Sequence, residues 1–298
     1  MGVAVLGLGT VGIGVVDILS KNRAMIFNRS GVDLEVRKVL VSNPNKKREI
    51  DLAKDMFAKD IEEILQDDEI DVVVELIGGL SPAKEYIIKA LEAKKAVVTA
   101  NKAVLAHHAA ELFAVARKNN VPLYYEASVG GGIPLITPLT ESLVGSNITS
   151  VMGIINGTTN YILTKMSTEG SSFEEVLAEA QRLGYAEADP SADVDGLDAA
   201  HKLVVLIALA FDTHIKLSDV HCEGIRKIDP MDIKFARDFG YAIKLLAVGK
   251  KTDLGIEARV QPTLIPLHHP LASVNNVFNA VFVESEEVGE IMLYGRGA

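Results

Sequence analysis

The sequence predicts an α/β protein: a Rossmann-type, doubly wound parallel sheet followed by an α+β domain for substrate binding and dimerisation. Three observations predict it. A short apolar strand at residues 3–6 runs directly into Gly7-Leu8-Gly9-Thr10-Val11-Gly12 and then into an apolar-periodic helix. Strands and helices then alternate over the first ~130 residues, the rhythm of parallel βαβ units. Beyond that point several helices precede several strands, a pattern that suits a mostly antiparallel sheet.

Composition narrows the class. The 298 residues exceed one ordinary core and fit two domains of roughly 100–200 residues each; we place these at 1–134, for the nucleotide, and 135–284. Apolar residues make up 48% and aromatic ones 5%, which suits an aliphatic α/β interior. A net charge of −10 without a dense Lys/Arg patch argues against nucleic acid or an anionic membrane as partner. The single cysteine, Cys222, excludes an intrachain disulfide and a multi-cysteine metal site, and points to a reducing compartment. The chain opens on a strand and its longest apolar runs reach about nine residues, short of the ~20 needed to cross a bilayer. A soluble, cytoplasmic protein is expected.

In the first unit, Gly7 permits a tight turn, Gly9 lets a pyrophosphate approach the backbone, and Gly12 lets the helix pack on the strand. The helix N-terminus at Thr10 and Val11 offers N–H groups and partial positive charge to the phosphates. Further strands are expected at 34–41, 71–77, 96–99 and 123–126, with helices at about 61–66, 82–93 and 107–119. An Asp or Glu that would hold the adenosine ribose of NAD belongs at the end of the second strand. Here Ser42-Asn43-Pro44-Asn45-Lys46-Lys47-Arg48 has no acid and three cations, so NADP is admitted beside NAD. Residues 78–82 and 99–102 follow strands on the ligand-binding edge, which places Lys102 there; a plain surface lysine is the alternative.

Residues 126–134, Glu-Ala-Ser-Val-Gly-Gly-Gly-Ile-Pro, leave the first domain. Their glycines and Glu126 allow either a hard-cation site built from oxygen or a simple crossover hinge. Beyond them we expect a strand at 148–156, a helix from Gly157, and a capping box at Ser172–Glu175 before a helix to about 183. A buried helix over 196–211, another near 231–239, and strands at 242–248, 256–262, 277–283 and 290–294 complete the pattern. His107-His108 and His268-His269 lack zinc spacing and read as surface or loop residues.

The densest chemistry lies in residues 184–202, GYAEADPSADVDGLDAAHK. Glu187, Asp189, Asp193, Asp195 and Asp198 precede Lys202, which follows Asp198 by one helical turn on the same face. Two readings are open from spacing: an acid–ammonium pair at the mouth of a buried helix, or helix capping by Asp195 and Asp198.

GLGTVG at 7–12, NKAVLA at 101–106, YEASVGGGIPLI at 125–136, INGTTNYIL at 155–163 and LGYAEADPSADVDGLDAAHKL at 183–203 resemble homoserine dehydrogenase, in order and across essentially the whole chain. The resemblance implies reversible oxidation of L-homoserine to L-aspartate 4-semialdehyde with NAD or NADP, toward threonine, methionine and isoleucine. It makes Lys202 the acid/base candidate with Asp198 beside it, and Lys102 a second active-site lysine. Glu187 and Asp193 would hold the substrate ammonium, with Tyr185, Gly157 and Thr158 lining the pocket. Glu126, Val129, Gly131 and Ile133 match a monovalent-cation site for sodium or potassium. Residues 285–298, with Gly297 in a terminal glycine motif, would return to the cofactor. A homodimer of a short form without a C-terminal regulatory domain is expected, and Asp195 remains as the helix cap. A phosphorylating semialdehyde dehydrogenase needs an activated cysteine that Cys222 in HCEG does not provide. Oxidation of a different amino or hydroxy acid is a further rival, and a non-catalytic nucleotide sensor, which would bind cofactor without turnover, is the alternative from another class; its discriminator is the fate of Lys202 and Asp198, both intact here.

Overall fold

β1 (Gly2–Leu6), of sequence GVAVL, is buried along its whole length, as a strand covered on both faces requires. It is the second strand of the first sheet in a computed structural model that describes residues 1–297. The chain divides into two units, one from Met1 to Tyr125 and one from Glu126 onward.

In the first unit β1 is followed by α1 (Thr10–Lys21), α2 (Arg23–Ser30) and β2 (Glu35–Leu40). Next come α3 (Ile61–Leu65), β3 (Val72–Glu75), α4 (Ala83–Glu92), β4 (Ala96–Thr99), α5 (Lys102–Asn119) and β5 (Leu123–Tyr124). The sheet order is β2-β1-β3-β4-β5 and every pairing is parallel, which is the doubly wound architecture expected. The order reverses between β1 and β3, the point at which such sheets receive ligands. Two helices differ from expectation. α5 begins at Lys102, five residues earlier than its periodicity suggested, because the Asn101 side chain accepts from the Val104 N–H at 3.2 Å and caps it. α2 was not expected; Gly31, at φ 72°, ends it in a left-handed turn.

The second unit begins with β6 (Ile148–Ile154), α6 (Gly157–Glu169), α7 (Phe173–Arg182), the single turn α8 (Ser191–Val194) and α9 (Leu197–Phe211). It continues with β7 (His221–Cys222), α10 (Pro230–Asp238), β8 (Tyr241–Thr252), β9 (Gly255–Pro266), β10 (Phe278–Ser285) and β11 (Gly289–Arg296). Its sheet has the order β11-β10-β6-β8-β9-β7, antiparallel throughout except where the short β7 runs parallel to β9. One face packs on α9 so closely that a Cβ on Gly249 would approach Ile207 to 2.7 Å. The other face buries Ile154, Leu246, Val248 and Phe282 beneath Leu271 and Val274. The capping box at Ser172 and Glu175 is present in both directions. Residues 289–296, within the stretch expected to return to the first domain, are paired with β10 along their length; the last residue of that stretch, Ala298, lies outside the described residues.

Among the described residues no helix is long and apolar enough to cross a membrane.

Candidate active site

The glycine turn is built by steric exclusion. The Gly7 N–H donates to the Leu40 carbonyl at 2.9 Å and the Leu76 N–H to the Leu6 carbonyl at 2.8 Å, so the ends of β2 and β3 flank it. Gly7 has φ 96°, and a Cβ there would lie 2.6 Å from the Leu76 carbonyl oxygen. A Cβ on Gly12 would collide with the Gly7 carbonyl. Gly9 differs, with nothing within 4 Å of where its Cβ would stand. Two glycines therefore serve packing, and the middle one leaves room for a phosphate. Gly9 also caps α1 without a side-chain acceptor, so an anion can take the first N–H groups at Thr10 and Val11. The geometry fits a dinucleotide.

The ends of β3 and β4 are tied by a network around one buried carboxylate. Glu75 Oε1 accepts from the Ile77 N–H at 2.8 Å, and Oε2 from the Thr99 hydroxyl at 2.7 Å. Thr99 in turn accepts from the Asn101 N–H, and Asn101 Nδ2 donates to the Gly79 carbonyl at 2.8 Å. This fixes the loops after both strands and sets Lys102 at the first turn of α5. Glu75 was missed from the sequence, although an acid ending the apolar run VVVE was a signal.

In the loop after β2, Arg48 folds inward and donates to the Asn43 and Lys46 carbonyls at 2.9 and 2.8 Å. Lys46 and Lys47 remain exposed.

In the second unit α8 and the start of α9 gather the charges. Lys202 Nζ lies 2.7 Å from Asp198 Oδ2, with side-chain exposures of 13% and 7%, and also donates to the Ile155 carbonyl at 2.8 Å. Asn156 Nδ2 donates to that same Asp198 oxygen at 2.9 Å and to Asp193 Oδ1 at 2.7 Å. One cluster therefore joins Lys202, Asp198, Asn156 and Asp193. Thr158, in the first turn of α6, donates its hydroxyl to the Tyr185 carbonyl at 2.7 Å, and the Tyr185 ring meets Tyr161 at 5.0 Å between centroids. Gly157 precedes it, with space at its Cβ position closed to 3.0 Å by the Val277 carbonyl. Glu187 lies on the exposed stretch before α8, where its carbonyl accepts from Gln181 Nε2 at 3.1 Å.

Asp195 corrects the sequence reading. The residue that caps α9 is Gly196, at φ 86° and without a side-chain acceptor. The Asp195 carboxylate instead pairs with Arg226 through bonds of 2.5 and 3.1 Å. A cation 31 residues away outcompetes the local N–H groups, because two charge-assisted bonds exceed one neutral cap. Magnitudes separate the two ion pairs. Asp195 and Arg226 are 41% and 43% exposed, a setting worth about 0–1 kcal/mol. The nearly buried Lys202–Asp198 pair costs several kcal/mol per ion in desolvation. Stability alone gives little reason to keep it, which is why its chemistry matters.

At the start of the second unit both oxygens of Glu126 are engaged. Oε1 accepts from the Leu135 and Ile136 N–H groups at 2.6 and 2.8 Å, and Oε2 from the Thr137 N–H and hydroxyl at 2.9 and 2.7 Å. Burial opposes its charge, but these bonds prevail and hold the carboxyl below its usual range. Gly130 and Gly131 follow at φ 76° and 57°. The carboxylate is thus committed to three amides and one hydroxyl. Among the described residues no cluster of three or more His, Cys, Asp or Glu is set to hold a metal. Gly297 closes on Asn279: a Cβ there would strike the amide, whose Nδ2 donates to the Ile154 carbonyl at 3.0 Å.

Comparison with known proteins agrees over both units. A family model described as homoserine dehydrogenase, NAD binding domain, matches residues 7–126, and one described as homoserine dehydrogenase matches residues 134–298. The homoserine dehydrogenase of Bacillus subtilis is 49% identical over 296 residues, 99% of this chain and 68% of the relative. The crystal structure of a homoserine dehydrogenase from Thiobacillus denitrificans superposes with TM-score 0.93 at 43% identity, over 100% of this chain and 69% of that one. A hyperthermophilic archaeal homoserine dehydrogenase solved in complex with NADPH gives 0.81 at 27% identity, over 100% and 92% of the two chains.

Proposed function

We propose the following assignment of roles for this chain, which belongs to the homoserine dehydrogenase family. As a member, it is an NAD(P)-dependent oxidoreductase that interconverts L-homoserine and L-aspartate 4-semialdehyde. The observation that carries the assignment is the nearly buried Lys202–Asp198 pair at 2.7 Å.

Bound NAD(P) supplies the hydride acceptor at C4 of the nicotinamide. In the oxidation direction Lys202, neutral in that step, takes the proton from the substrate hydroxyl as the C–H bond gives up its hydride and the carbonyl forms. Asp198 orients the amine and stabilises the ammonium that results. Asp193 and Glu187 hold the substrate α-ammonium. Gly157 and Thr158, at the positive end of α6, suit its carboxylate, with Tyr185 over the pocket. Lys102 is a second lysine of the site. Gly7, Gly9 and Gly12, with Thr10 and Val11, receive the pyrophosphate, and Gly297 belongs to the cofactor side.

NADP is favoured over NAD. Lys46 and Lys47 are exposed after β2, and Arg48 Nε is buried with no hydrogen-bond partner among the described residues, a donor suited to an added phosphate. Main-chain oxygens of Glu126, Val129, Gly131 and Ile133 would hold sodium or potassium, which would stiffen that turn. The protein works as a cytoplasmic homodimer on the route to threonine, methionine and isoleucine.

The test is NAD(P)H absorbance with L-homoserine, with each cofactor and with sodium, potassium or neither. A homoserine-dependent rise, larger with NADP and with a monovalent cation, is expected. Absence of any rise with both cofactors contradicts the assignment.

A further inference from the structure

Every polar atom of the Asn156 carboxamide is used. Nδ2 donates to Asp193 Oδ1 at 2.7 Å and Asp198 Oδ2 at 2.9 Å. Oδ1 accepts from the Thr159 N–H at 2.8 Å and from its hydroxyl at 2.9 Å, which makes Asn156 the N-cap of α6. The reversed amide would set its oxygen against two carboxylates and its NH2 against an N–H, so only this orientation satisfies the site. On its other side Asp198 Oδ2 receives Lys202, whose second hydrogen bond goes to Ile155, the residue before Asn156.

We propose that Asn156 is the positioning residue of the active site: one neutral side chain, anchored in the N-terminus of α6, holds Asp198 against Lys202 and Asp193 ready for the substrate ammonium. This rests on the acid–base reading of Lys202 given above. The chemistry of the amide explains why it stands there. Two carboxylates held by one group repel each other, and an N–H directed at each lowers that cost while leaving both charges in place. A cation at this position would instead compete with Lys202 for Asp198 and with the substrate ammonium for Asp193.

The capping duty and the positioning duty are separable, because Asn, Asp and Ser cap helices about equally well. Asn156→Ser keeps an acceptor for the Thr159 N–H but is too short to reach both carboxylates. Asn156→Asp keeps the cap and the size, and replaces the donor with a third negative charge. A residue that only caps predicts equal activity for all three side chains. The positioning role predicts the order Asn, then Ser, then Asp.

The experiment measures kcat, KM for homoserine, KM for NADP and Tm for both variants beside Lys202→Ala. Asn156→Ser is expected to raise the homoserine KM about tenfold and lower kcat about tenfold, and Asn156→Asp to lower kcat about a hundredfold. The KM for NADP should stay within about twofold in both, because the change is confined to substrate and acid–base groups. Parent-like kcat and homoserine KM in the two Asn156 variants, with Lys202→Ala inactive, overturn the positioning role alone. Retained turnover in Lys202→Ala overturns the acid–base reading and the positioning role with it. Activity losses that follow a fall in Tm in both Asn156 variants also overturn it, since the weight then lies in the cap.

Discussion

The glycine turn of the first unit and the Lys202 cluster of the second solve opposite problems. The turn is made of backbone: Gly7 and Gly12 are required because a Cβ would strike Leu76 or Gly7, and Gly9 because space must be left open. The cluster is made of charged side chains that attract, repel and must be held apart by an amide. A backbone site is encoded by what is absent from a few adjacent residues, whereas a side-chain site is encoded by partners far apart in sequence. The first is insensitive to ionisation and the second depends on it.

That contrast can be broken from either side. Gly12→Val forces a side chain into the Gly7 carbonyl and should weaken NADPH binding on the order of 100-fold, about 2.7 kcal/mol, in a fluorescence titration. Comparable affinity in the variant would remove the steric account of the turn.

Lys244 sharpens the ionisation side of the comparison, at a slightly smaller expected cost. Buried on β8, it donates to the Val274 carbonyl at 2.5 Å and to the Asn275 and Asn160 amide oxygens at 3.0 and 3.2 Å, and burial pulls its pKa down to about 8. Lys244→Met leaves those acceptors buried without their donor and should cost about 1–3 kcal/mol in denaturant unfolding near neutral pH. The sign of the pH effect follows from its lowered value. Between about pH 8 and the ordinary lysine range near ~10.4 the unfolded chain holds the proton more tightly, so stability rises with pH across that window. The rise should disappear in Lys244→Met.

Smaller still is the effect in the loop after β2. Replacing both Lys46 and Lys47 with Glu should raise the KM for NADP roughly tenfold, about 1.4 kcal/mol, and move that for NAD by no more than about twofold. Equal changes for both cofactors would mean that the loop does not read the added phosphate.

Legibility in the sequence follows the same division. The alternation of apolar runs gave the parallel sheet and the antiparallel one, because burial and period are local properties. Gly7, Gly9 and Gly12 were readable for the same reason, and so was the one-turn spacing of Asp198 and Lys202. Asn156 as their anchor was not, since its bonds to Asp193 and Asp198 cross 37 and 42 residues. Asp195 shows the error that local rules make: its position invited a helix cap, and Arg226 took it. At Glu126, where a cation site and a hinge were both open readings, the four hydrogen bonds that fill the carboxylate come from residues 135–137, partners that spacing alone did not point to. The strand expected at 290–294 was legible, whereas its pairing with β10 along residues 289–296 was not, because that register depends on a partner strand rather than on its own residues.

On the roles proposed above, binding the cofactor and moving the proton are tasks of different residues. The most direct test is a single-turnover measurement on Lys202→Ala, with NADPH affinity determined on the same preparation. Affinity within about twofold of the parent is expected, with NADPH formation from homoserine slowed by about 10³-fold or more, in the upper range for loss of an acid–base group. Parent-rate NADPH formation, or a loss of cofactor affinity that explains the slowing, would contradict it.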